Sequence, residues 1–343
     1  MSLFKFNSSI FMIQNAININ KSELMPIVRN ITYHNPRMLF NGHLQTIFPA
    51  LFRKSIPLPF TTERIITPDD DFIDLDWLKN NNSKLVIISH GLEGNSRRPY
   101  MLGMANTFYF KGYDILCWNF RGCSEEINKK SIFYNSGSTY DLETVIKHAS
   151  GDYQEIYLIG FSLGGNLTLK YLGEERERDP RIKKAVTISV PLHLESSCEK
   201  ISNGQNTIYS QRFLKSLKLK IVKKAVLYPD EIQVQDLRKL KSLLDFDNIY
   251  TGPLHGYKDA HDYYEQCSSL YYLEGIKIPS LILNAQNDPF LSAKCFPINL
   301  GNSLENVFME FPKQGGHVGF SPRSSGDNYW SEKRALEFIS SDR

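Results

Sequence analysis

The sequence predicts a fold of the α/β class, in which helices cover both faces of a mostly parallel central sheet. Short apolar segments of strand length alternate with longer stretches of helix-forming residues along most of the chain. A serine between glycines also follows one apolar segment and precedes a helical pattern. In folds of this class, ligands bind at the carboxyl ends of the strands. We predict strands at residues 62–67, 72–78, 85–90, 114–120, 155–161, 183–190, 280–285 and 307–311.

The first two predicted strands are joined by the short polar segment Pro68–Asp71. Proline and aspartate in so short a connection are typical of a tight turn, and a tight turn joins antiparallel neighbours. We therefore expect residues 62–67 and 72–78 to form an antiparallel hairpin at one edge of the sheet.

The fifth predicted strand runs directly into the segment Gly160–Gly164, which has a serine at its centre. A serine in a sharp strand-to-helix turn projects its hydroxyl above the sheet, and the positions two before and two after it must be almost free of side chain. Gly160 and Gly164 meet that requirement. Ser162 is therefore the predicted nucleophile of a nucleophile elbow.

A serine hydroxyl is a weak nucleophile unless a histidine takes its proton and a carboxylate orients that histidine. In this kind of fold the partners follow the serine in the order acid, then histidine. Asp288 comes at the end of an apolar strand, and His317 lies in a glycine-rich loop after the last strand. We predict Asp288 as the acid and His317 as the base.

Two backbone N–H groups should hold the oxyanion that forms during acyl transfer. The residue after the nucleophile, Leu163, supplies one, and we expect Leu92, in the turn after the third strand, to supply the other. His90 and Glu93 flank Leu92, but two ligands without a third at a suitable spacing are poor support for a metal site.

Residues 191–275, between the sixth and seventh predicted strands, are far more numerous than one crossover helix needs. We predict a helical cap. In the segment Phe213–Lys224, apolar residues that include Val222 should share one helical face and lysines the other. The lysines give a solvated basic face, or one with weak attraction to anionic membranes; they are Lys215, Lys218, Lys220, Lys223 and Lys224.

Several motifs together resemble the YheT-like branch of the α/β-hydrolase superfamily, over roughly residues 26–340. The resemblance implies an α/β-hydrolase fold with Ser162, Asp288 and His317 as the catalytic triad, and relatives that include medium-chain ester and phospholipid hydrolases and ethanol acyltransferases. One departure is Asn135, where relatives usually have histidine. The motifs are His90–Tyr100, Asn119–Cys123, Gly160–Gly165, Asn287–Pro289 and Gly315–His317, with Asn41–Thr46, Pro253–Gly256 and Tyr263–Tyr264 beyond the central region.

We therefore divide the chain into a hydrolase core (residues 25–190 and 276–343) and the cap (residues 191–275). Residues 1–24 precede the resemblance and are expected to be a loose extension. Their apolar stretch, Ile10–Ile13, is shorter than the core of a signal peptide, and no run of about 18 apolar residues follows.

Composition agrees with this interpretation. At 343 residues, 41% of them apolar, the chain can bury a large core, and its net charge of +3 gives no reason to expect a nucleic-acid partner. The five cysteines are odd in number and include no Cys-x-x-Cys pair, so neither a disulfide framework nor a zinc site is expected. We expect a cytoplasmic protein without cofactor or metal; its oligomeric state stays open.

Three pairs of polar residues outside the triad are expected to have structural roles. Arg121 and Asp141 should pair beneath the site. His255 and His261 should dock the cap, because no third ligand completes a metal shell beside them. His43 and Gln45 should fasten the amino-terminal segment to the core. All three expectations concern packing and not substrate.

The predicted function is a serine esterase that cleaves carboxylic esters of short to medium acyl chains, lipid-derived esters included, through an acyl-enzyme on Ser162. Two alternatives stay open. An alcohol acyltransferase would use the same triad with an alcohol in place of water, and a non-catalytic member of the fold would use the pocket to bind a ligand.

Overall fold

The computed structural model describes residues 26–28, 31–151, 153–324, 326 and 328–342. The predicted extension, residues 1–24, lies outside the described residues. The described chain contains a nine-stranded sheet. Its strands are β1 (Ile27–Val28), β2 (Thr61–Ile66), β3 (Phe72–Leu78), β4 (Lys84–Ser89), β5 (Asp114–Asn119), β6 (Glu155–Phe161), β7 (Ile182–Ile188), β8 (Ser280–Leu283) and β9 (Val307–Glu310).

The strands lie in the order β1-β9-β8-β7-β6-β4-β5-β3-β2. From β1 to β5 all neighbours are parallel, whereas β3 is antiparallel to both β5 and β2. The predicted α/β fold with a mostly parallel sheet is confirmed, as is the edge hairpin of β2 and β3. The chain crosses between parallel strands through helices, which explains why the central strands are apolar along most of their length.

The strand count needs one correction. We predicted the cap after the sixth strand, but it follows β7, because β1 precedes the predicted set. This strand consists of only Ile27 and Val28, which pair with Met309 and Glu310 of β9. Two residues are too few to show a period of two in the sequence, so only the pairing with a distant strand defines β1.

Helices cover both faces of the sheet and pack on alternate strand residues. On β4, Leu85 and Ile87 belong to one hydrophobic cluster, and Val86 and Ile88 belong to the other. The helices of the core include α1 (Gly42–Phe52), α2 (Pro99–Tyr109), α3 (Thr139–Ala149), α4 (Leu163–Gly173) and α11 (Trp330–Ser340). The first cluster includes residues of α3 and α4, and the second includes residues of α2 and α11.

Between β7 and β8 the chain leaves the sheet and forms the inserted segment, residues 191–275. Its helices enclose a hydrophobic cluster that Phe133 and Phe290 of the core also join. The regular elements here are α5 (Leu194–Ser202), α6 (Thr207–Leu227), α7 (Leu243–Phe246), α8 (Gly252–Leu254) and α9 (Ala260–Cys267), with a π-helical turn at Asp247–Thr251 and 3-10 helices at Gly204–Asn206, Val234–Arg238 and Ser269–Gly275. After β8 come a 3-10 helix at Ala293–Cys295 and α10 (Ile298–Gly301).

The predicted lysine face of α6 is wrong in part. Lys220 and Lys224 are buried, whereas Val222, which we had placed on the apolar face, is 42% exposed. The Lys224 ammonium donates to the carbonyl oxygens of Asn128 and Lys130. Long lysine stems can lie among apolar residues when the charged end reaches a polar partner. Within the described residues, no helix has both the length and the apolar character to span a membrane.

Candidate active site

Ser162 lies between β6 and α4, in a turn whose backbone demands small neighbours. Its φ of 51° and ψ of −119° fall in a region that non-glycine residues rarely adopt. A Cβ atom at Gly160 would sit 2.5 Å from the carbonyl oxygen of Gly164, and one at Gly164 would collide with the carbonyl oxygen of His90. The glycines predicted from the motif are therefore sterically required, and the turn lifts the serine hydroxyl above the strand end.

The structure brings the three predicted triad residues together in one chain of hydrogen bonds. The His317 Nδ1 atom lies 2.8 Å from Oδ2 of Asp288, and its Nε2 atom lies 3.0 Å from the Ser162 hydroxyl oxygen. Because a carboxylate only accepts hydrogen bonds, Nδ1 carries the imidazole proton and Nε2 is free to accept from the serine. The other oxygen of Asp288, a buried residue, accepts from the backbone N–H of Phe290 at 2.8 Å.

The loop that carries His317 is fastened from three directions. Its own backbone N–H donates to the Thr46 hydroxyl at 2.9 Å, and the next N–H, of Val318, donates to the Ser189 hydroxyl at 2.8 Å. The Gln45 carboxamide oxygen accepts from the N–H of Gly315 at 2.7 Å. Sequence reasoning missed Thr46 and Ser189, whose contacts span more than a hundred residues of chain. Together these bonds hold the imidazole in register with the serine.

The expectation that Gln45 fastens the amino-terminal segment is confirmed, and its contacts reach further. The side chain is 1% exposed, and it accepts from the Asn287 carboxamide at 2.9 Å, next to Asp288. His43 packs parallel to the Tyr209 ring at the start of α6 and lies 3.0 Å from its hydroxyl. The segment around α1 thus contacts both the acid and the histidine loops and the inserted segment.

The two predicted oxyanion donors lie on either side of the serine. Leu92 and Leu163 line the same cavity as Ser162, and a Cβ atom at Gly91 would meet the serine Cβ at 3.1 Å. Within the part of the chain that the structure describes, neither leucine N–H donates to a protein acceptor. Leu163 is also the first residue of α4, where the helix dipole favours a negative charge.

His90 supports this loop through both of its ring nitrogens. It is fully buried, with Nδ1 2.7 Å from the carbonyl oxygen of Gly91 and Nε2 accepting from the backbone N–H of Phe120 at 3.1 Å. Burial lowers the pKa of His90 to about 3, so the ring is neutral and cannot switch with physiological pH. No group of three or more metal-ligating side chains occurs among the described residues.

Glu93, the residue after the Leu92 donor, forms a buried ion pair with the inserted segment. Its Oε1 atom accepts from the Lys220 ammonium at 2.6 Å and from the Tyr134 hydroxyl at 2.8 Å, and Ser216 donates to its other oxygen. Burial alone would raise the pKa of Glu93, but the ammonium beside it holds that pKa below 4.5. No local pattern in the sequence indicates this pair, because its partners are on different elements.

The other polar expectations have clear outcomes. The Arg121 guanidinium contacts both oxygens of the buried Asp141 carboxylate at 2.9 and 3.0 Å, so the structural pair is confirmed. His255 docks the inserted segment on the core, with Nε2 2.6 Å from the carbonyl oxygen of Phe133. His261 instead pairs with Glu195 near the surface, inside the inserted segment.

Asn135, where the family usually has histidine, is buried in a tight turn and accepts from the N–H of Gly137 at 2.6 Å. The next residue, Ser136, lines the cavity and donates its N–H to the Tyr263 hydroxyl at 2.8 Å. The departure thus lies next to a residue of the cavity wall, and its side-chain oxygen holds a local turn.

The cavity above the triad lies between the sheet and the inserted segment. Its floor contains Ser162 and His317, and its walls are mostly apolar, with Phe213, Leu217 and Leu243 among them. The volume of this cavity is about 130 Å³. An apolar cavity of similar size in another protein admits benzene, so this one suits a small or medium-sized apolar group.

The fold and this geometry define an α/β hydrolase. The family model for the alpha/beta hydrolase fold matches residues 84–323. The chain therefore belongs to the α/β-hydrolase family. In particular, it is 33% identical to an Escherichia coli protein named "Putative esterase YheT", over 82% of this chain and 84% of that protein. This match confirms the resemblance to the YheT-like branch.

Two further comparisons extend the range of relatives. The mouse protein named Phospholipase ABHD3 is 29% identical over 86% of this chain and 74% of its own length. Among solved structures, an esterase of Pyrococcus furiosus, Pf2001, superposes with a TM-score of 0.54 at 17% identity, over 92% of this chain and 96% of that chain. The last similarity shows the shared fold. The relatives support an ester hydrolase in the broad sense.

Proposed function

We propose that the protein is a serine esterase that hydrolyses carboxylic esters through an acyl-enzyme on Ser162. The observation that carries the proposal is the chain of hydrogen bonds from Asp288 through His317 to the Ser162 hydroxyl. The esterase and phospholipase names of the relatives support the same reaction class. The proposed roles are nucleophile for Ser162, base for His317 and orienting acid for Asp288.

The reaction follows from these positions. The Ser162 oxygen attacks the ester carbonyl carbon while His317 Nε2 takes the hydroxyl proton, and Asp288 stabilises the imidazolium that results. The N–H groups of Leu92 and Leu163 hold the oxyanion, each contributing about 3 kcal/mol by analogy with the loss of a single donor. The imidazolium then protonates the leaving alcohol. Water, deprotonated by His317, releases the acid and restores the serine.

We also propose that the inserted segment, residues 191–275, acts as a cap that sets the substrate range. Its helices supply most of the apolar wall of the cavity. The cavity volume favours short to medium acyl chains, and the phospholipase relative favours esters derived from lipids. All five cysteines are free thiols, which supports a reducing, cytoplasmic location.

The same segment supports a proposal of weak peripheral membrane contact. Although Lys220 and Lys224 point inward, Lys215 and Lys223 of α6 are exposed beside exposed apolar side chains. A helix surface that mixes lysines with apolar residues is typical of weak binding to anionic lipid. The exposed apolar residues are Leu219, Val222, Val226 and Leu227.

The test of the triad is covalent labelling with a fluorophosphonate, which reacts with activated serines. We expect wild type to be labelled and Ser162→Ala not to be. Ser136→Ala is the matched control, because Ser136 lines the same cavity but has no histidine beside it. Absence of labelling in folded wild type, or labelling that survives in Ser162→Ala, would overturn the proposed nucleophile.

Turnover of a p-nitrophenyl ester series from acetate to palmitate then measures the acyl preference. We expect the highest kcat/KM at a short or medium chain. Added ethanol separates the acyltransferase alternative, because transfer gives an ethyl ester and hydrolysis gives the free acid. Ethyl ester as the main product at low ethanol would replace the hydrolase proposal with the transferase.

A further inference from the structure

One acidic side chain in the cavity wall has no part in the proposed reaction. Asp247, the first residue of the π-helical turn, lines the cavity together with Ser162 and His317. Oδ2 of this aspartate accepts from the Tyr264 hydroxyl at 2.5 Å, and the Thr251 hydroxyl is a second partner. Across the described ranges of the chain, no lysine, arginine or histidine nitrogen lies within 4.0 Å of this carboxylate.

A carboxylate in such surroundings is costly. Moving an ionised group from water to an apolar wall without a cation is unfavourable, and an apolar residue of similar volume would avoid that cost. Burial raises the pKa of Asp247 to about 6, but at neutral pH most molecules still carry the charge. The position therefore holds a strong hydrogen-bond acceptor at the expense of stability.

The acceptor has capacity to spare. A carboxylate offers about four lone-pair positions, and two hydroxyl groups of the protein occupy only part of them. Asp247 is half-buried, and it borders the cavity. Its backbone is in a π-helical turn, Asp247–Thr251, an irregularity found often at functional sites because it redirects a side chain from a helix.

We propose that Asp247 is a specificity-determining residue that accepts a hydrogen bond from the substrate, so that the preferred esters carry a second polar group with an O–H or N–H donor. This inference rests on the proposed esterase function and narrows its substrate class. The donor belongs to the part of the ester that lies under the inserted segment while the carbonyl is at Ser162. A hydroxyl and an ammonium group share this chemistry.

The test uses matched sets of esters whose members differ only in one terminal group. The first set is p-nitrophenyl heptanoate and its analogues in which the terminal methyl is replaced by a hydroxyl or an ammonium group. The second set places the same replacement on the alcohol: propyl octanoate against the monooctanoate of ethylene glycol. We expect wild type to favour the donor-bearing member of at least one set by about ten- to hundredfold in kcat/KM.

Asp247→Leu should remove that preference, while kcat/KM for the methyl-terminated ester stays within a few-fold of wild type or rises. Asp247→Asn, which keeps the shape but loses the charge, should fall between. Glu231→Gln is the control, because Glu231 is an exposed acid of the inserted segment. Where Asp247→Leu fails to fold, wild type decides: equal rates within both sets overturn the inference.

Binding to Ser162→Ala gives the comparison without catalysis. This variant does not turn the esters over, so the ratio of the dissociation constants of a matched pair reports the donor preference directly. Equal rates with normal fluorophosphonate labelling of wild type overturn the role of Asp247 and leave the esterase proposal standing. No labelling of wild type overturns the esterase, and the binding ratio then still decides whether Asp247 selects donors.

Discussion

The backbone N–H of His317 donates to the Thr46 hydroxyl, one of the three hydrogen bonds that hold the loop and the only one made by His317 itself among them. Thr46→Val removes the acceptor without changing the shape of the side chain, which leaves a partly buried N–H unpaired at a cost of about 1–3 kcal/mol. We predict that kcat for a p-nitrophenyl ester falls about tenfold or more. Thr46→Ser, which keeps the hydroxyl, should stay near wild type; equal rates for the valine and serine variants would contradict the role.

Lys224 gives a pH-dependent contribution to stability. Burial lowers the pKa of Lys224 to about 8, from 10.5 for an ordinary lysine. Between these two values the unfolded chain binds more protons than the folded chain, so this residue makes folding more favourable as the pH rises through that window. We predict that the free energy of unfolding of wild type rises, relative to that of Lys224→Met, as the pH increases from about 8 to 10.5.

Urea unfolding of both proteins at several pH values checks this. Lys223→Met, at an exposed neighbour, is the control for losing one surface charge. A constant difference between wild type and Lys224→Met across the window would show that Lys224 does not titrate there.

Residue-scale prediction is most specific where local constraints are strong. Ser162 was predicted because a strained turn needs glycines at fixed distances, and Asp288 and His317 because this fold places them in a fixed chain order. Thr46 and Ser189 were not identifiable, since each serves the site through a hydroxyl and a backbone N–H that any sequence would supply. Asp247 looked like one acid among many in the inserted segment.

At the scale of elements, the Glu93–Lys220 ion pair joins α6 to the turn that follows β4. Both side chains are 9% exposed, so removing one partner leaves a buried charge alone and should cost about 3 kcal/mol or more. We predict that Glu93→Gln and Lys220→Met each destabilise the protein, and that the double variant loses less than the sum of the two. Urea unfolding of all four proteins gives the coupling energy.

The same cycle has a catalytic readout, because Leu92 directly precedes Glu93. The single variants should lower kcat more than they raise KM, as expected when an oxyanion donor moves. The exposed pair Asp70–Lys129 is the matched control and should give a coupling below about 0.5 kcal/mol. A Glu93–Lys220 coupling as small as the control would mean that the pair does not tie the two elements.

Helix periodicity assigned the wrong face to part of α6 for a physical reason. Periodicity sorts side chains by type, and lysine counts as polar wherever it lies. Lys220 is buried because Glu93, more than a hundred residues away, meets its charge. The strands were easier to predict, since a buried parallel strand is apolar along most of its length. Of the strands in the described chain, only the two-residue β1 was not predicted. Boundaries of the eight predicted strands differ from the structure by no more than two residues at either end.

At the scale of the whole molecule, exposed lysines and apolar side chains of α6 should give weak binding to anionic membranes. We predict that the protein co-sediments partly with phosphatidylserine vesicles and less with phosphatidylcholine vesicles. Lys215→Glu with Lys223→Glu should reduce the binding, since each lysine near an anionic surface contributes about 1 kcal/mol. Raised salt should weaken it as well.

Lys183→Glu is the control for charge reversal, because this exposed lysine lies at the start of β7, away from α6. Binding that does not depend on the anionic lipid content would contradict the proposed membrane surface. The same holds if Lys183→Glu reduces binding as much as Lys215→Glu with Lys223→Glu does.

The family match starts at residue 84, yet the contacts that hold the histidine loop come from Gln45 and Thr46. A shortened chain that began at the match would keep every residue of the proposed triad and lose the Gln45 and Thr46 anchors of the His317 loop. The segment that the family model matches is thus smaller than the unit that positions this histidine. A truncated or grafted version of the protein should therefore keep α1, because the imidazole would otherwise lose two of the contacts that hold its loop.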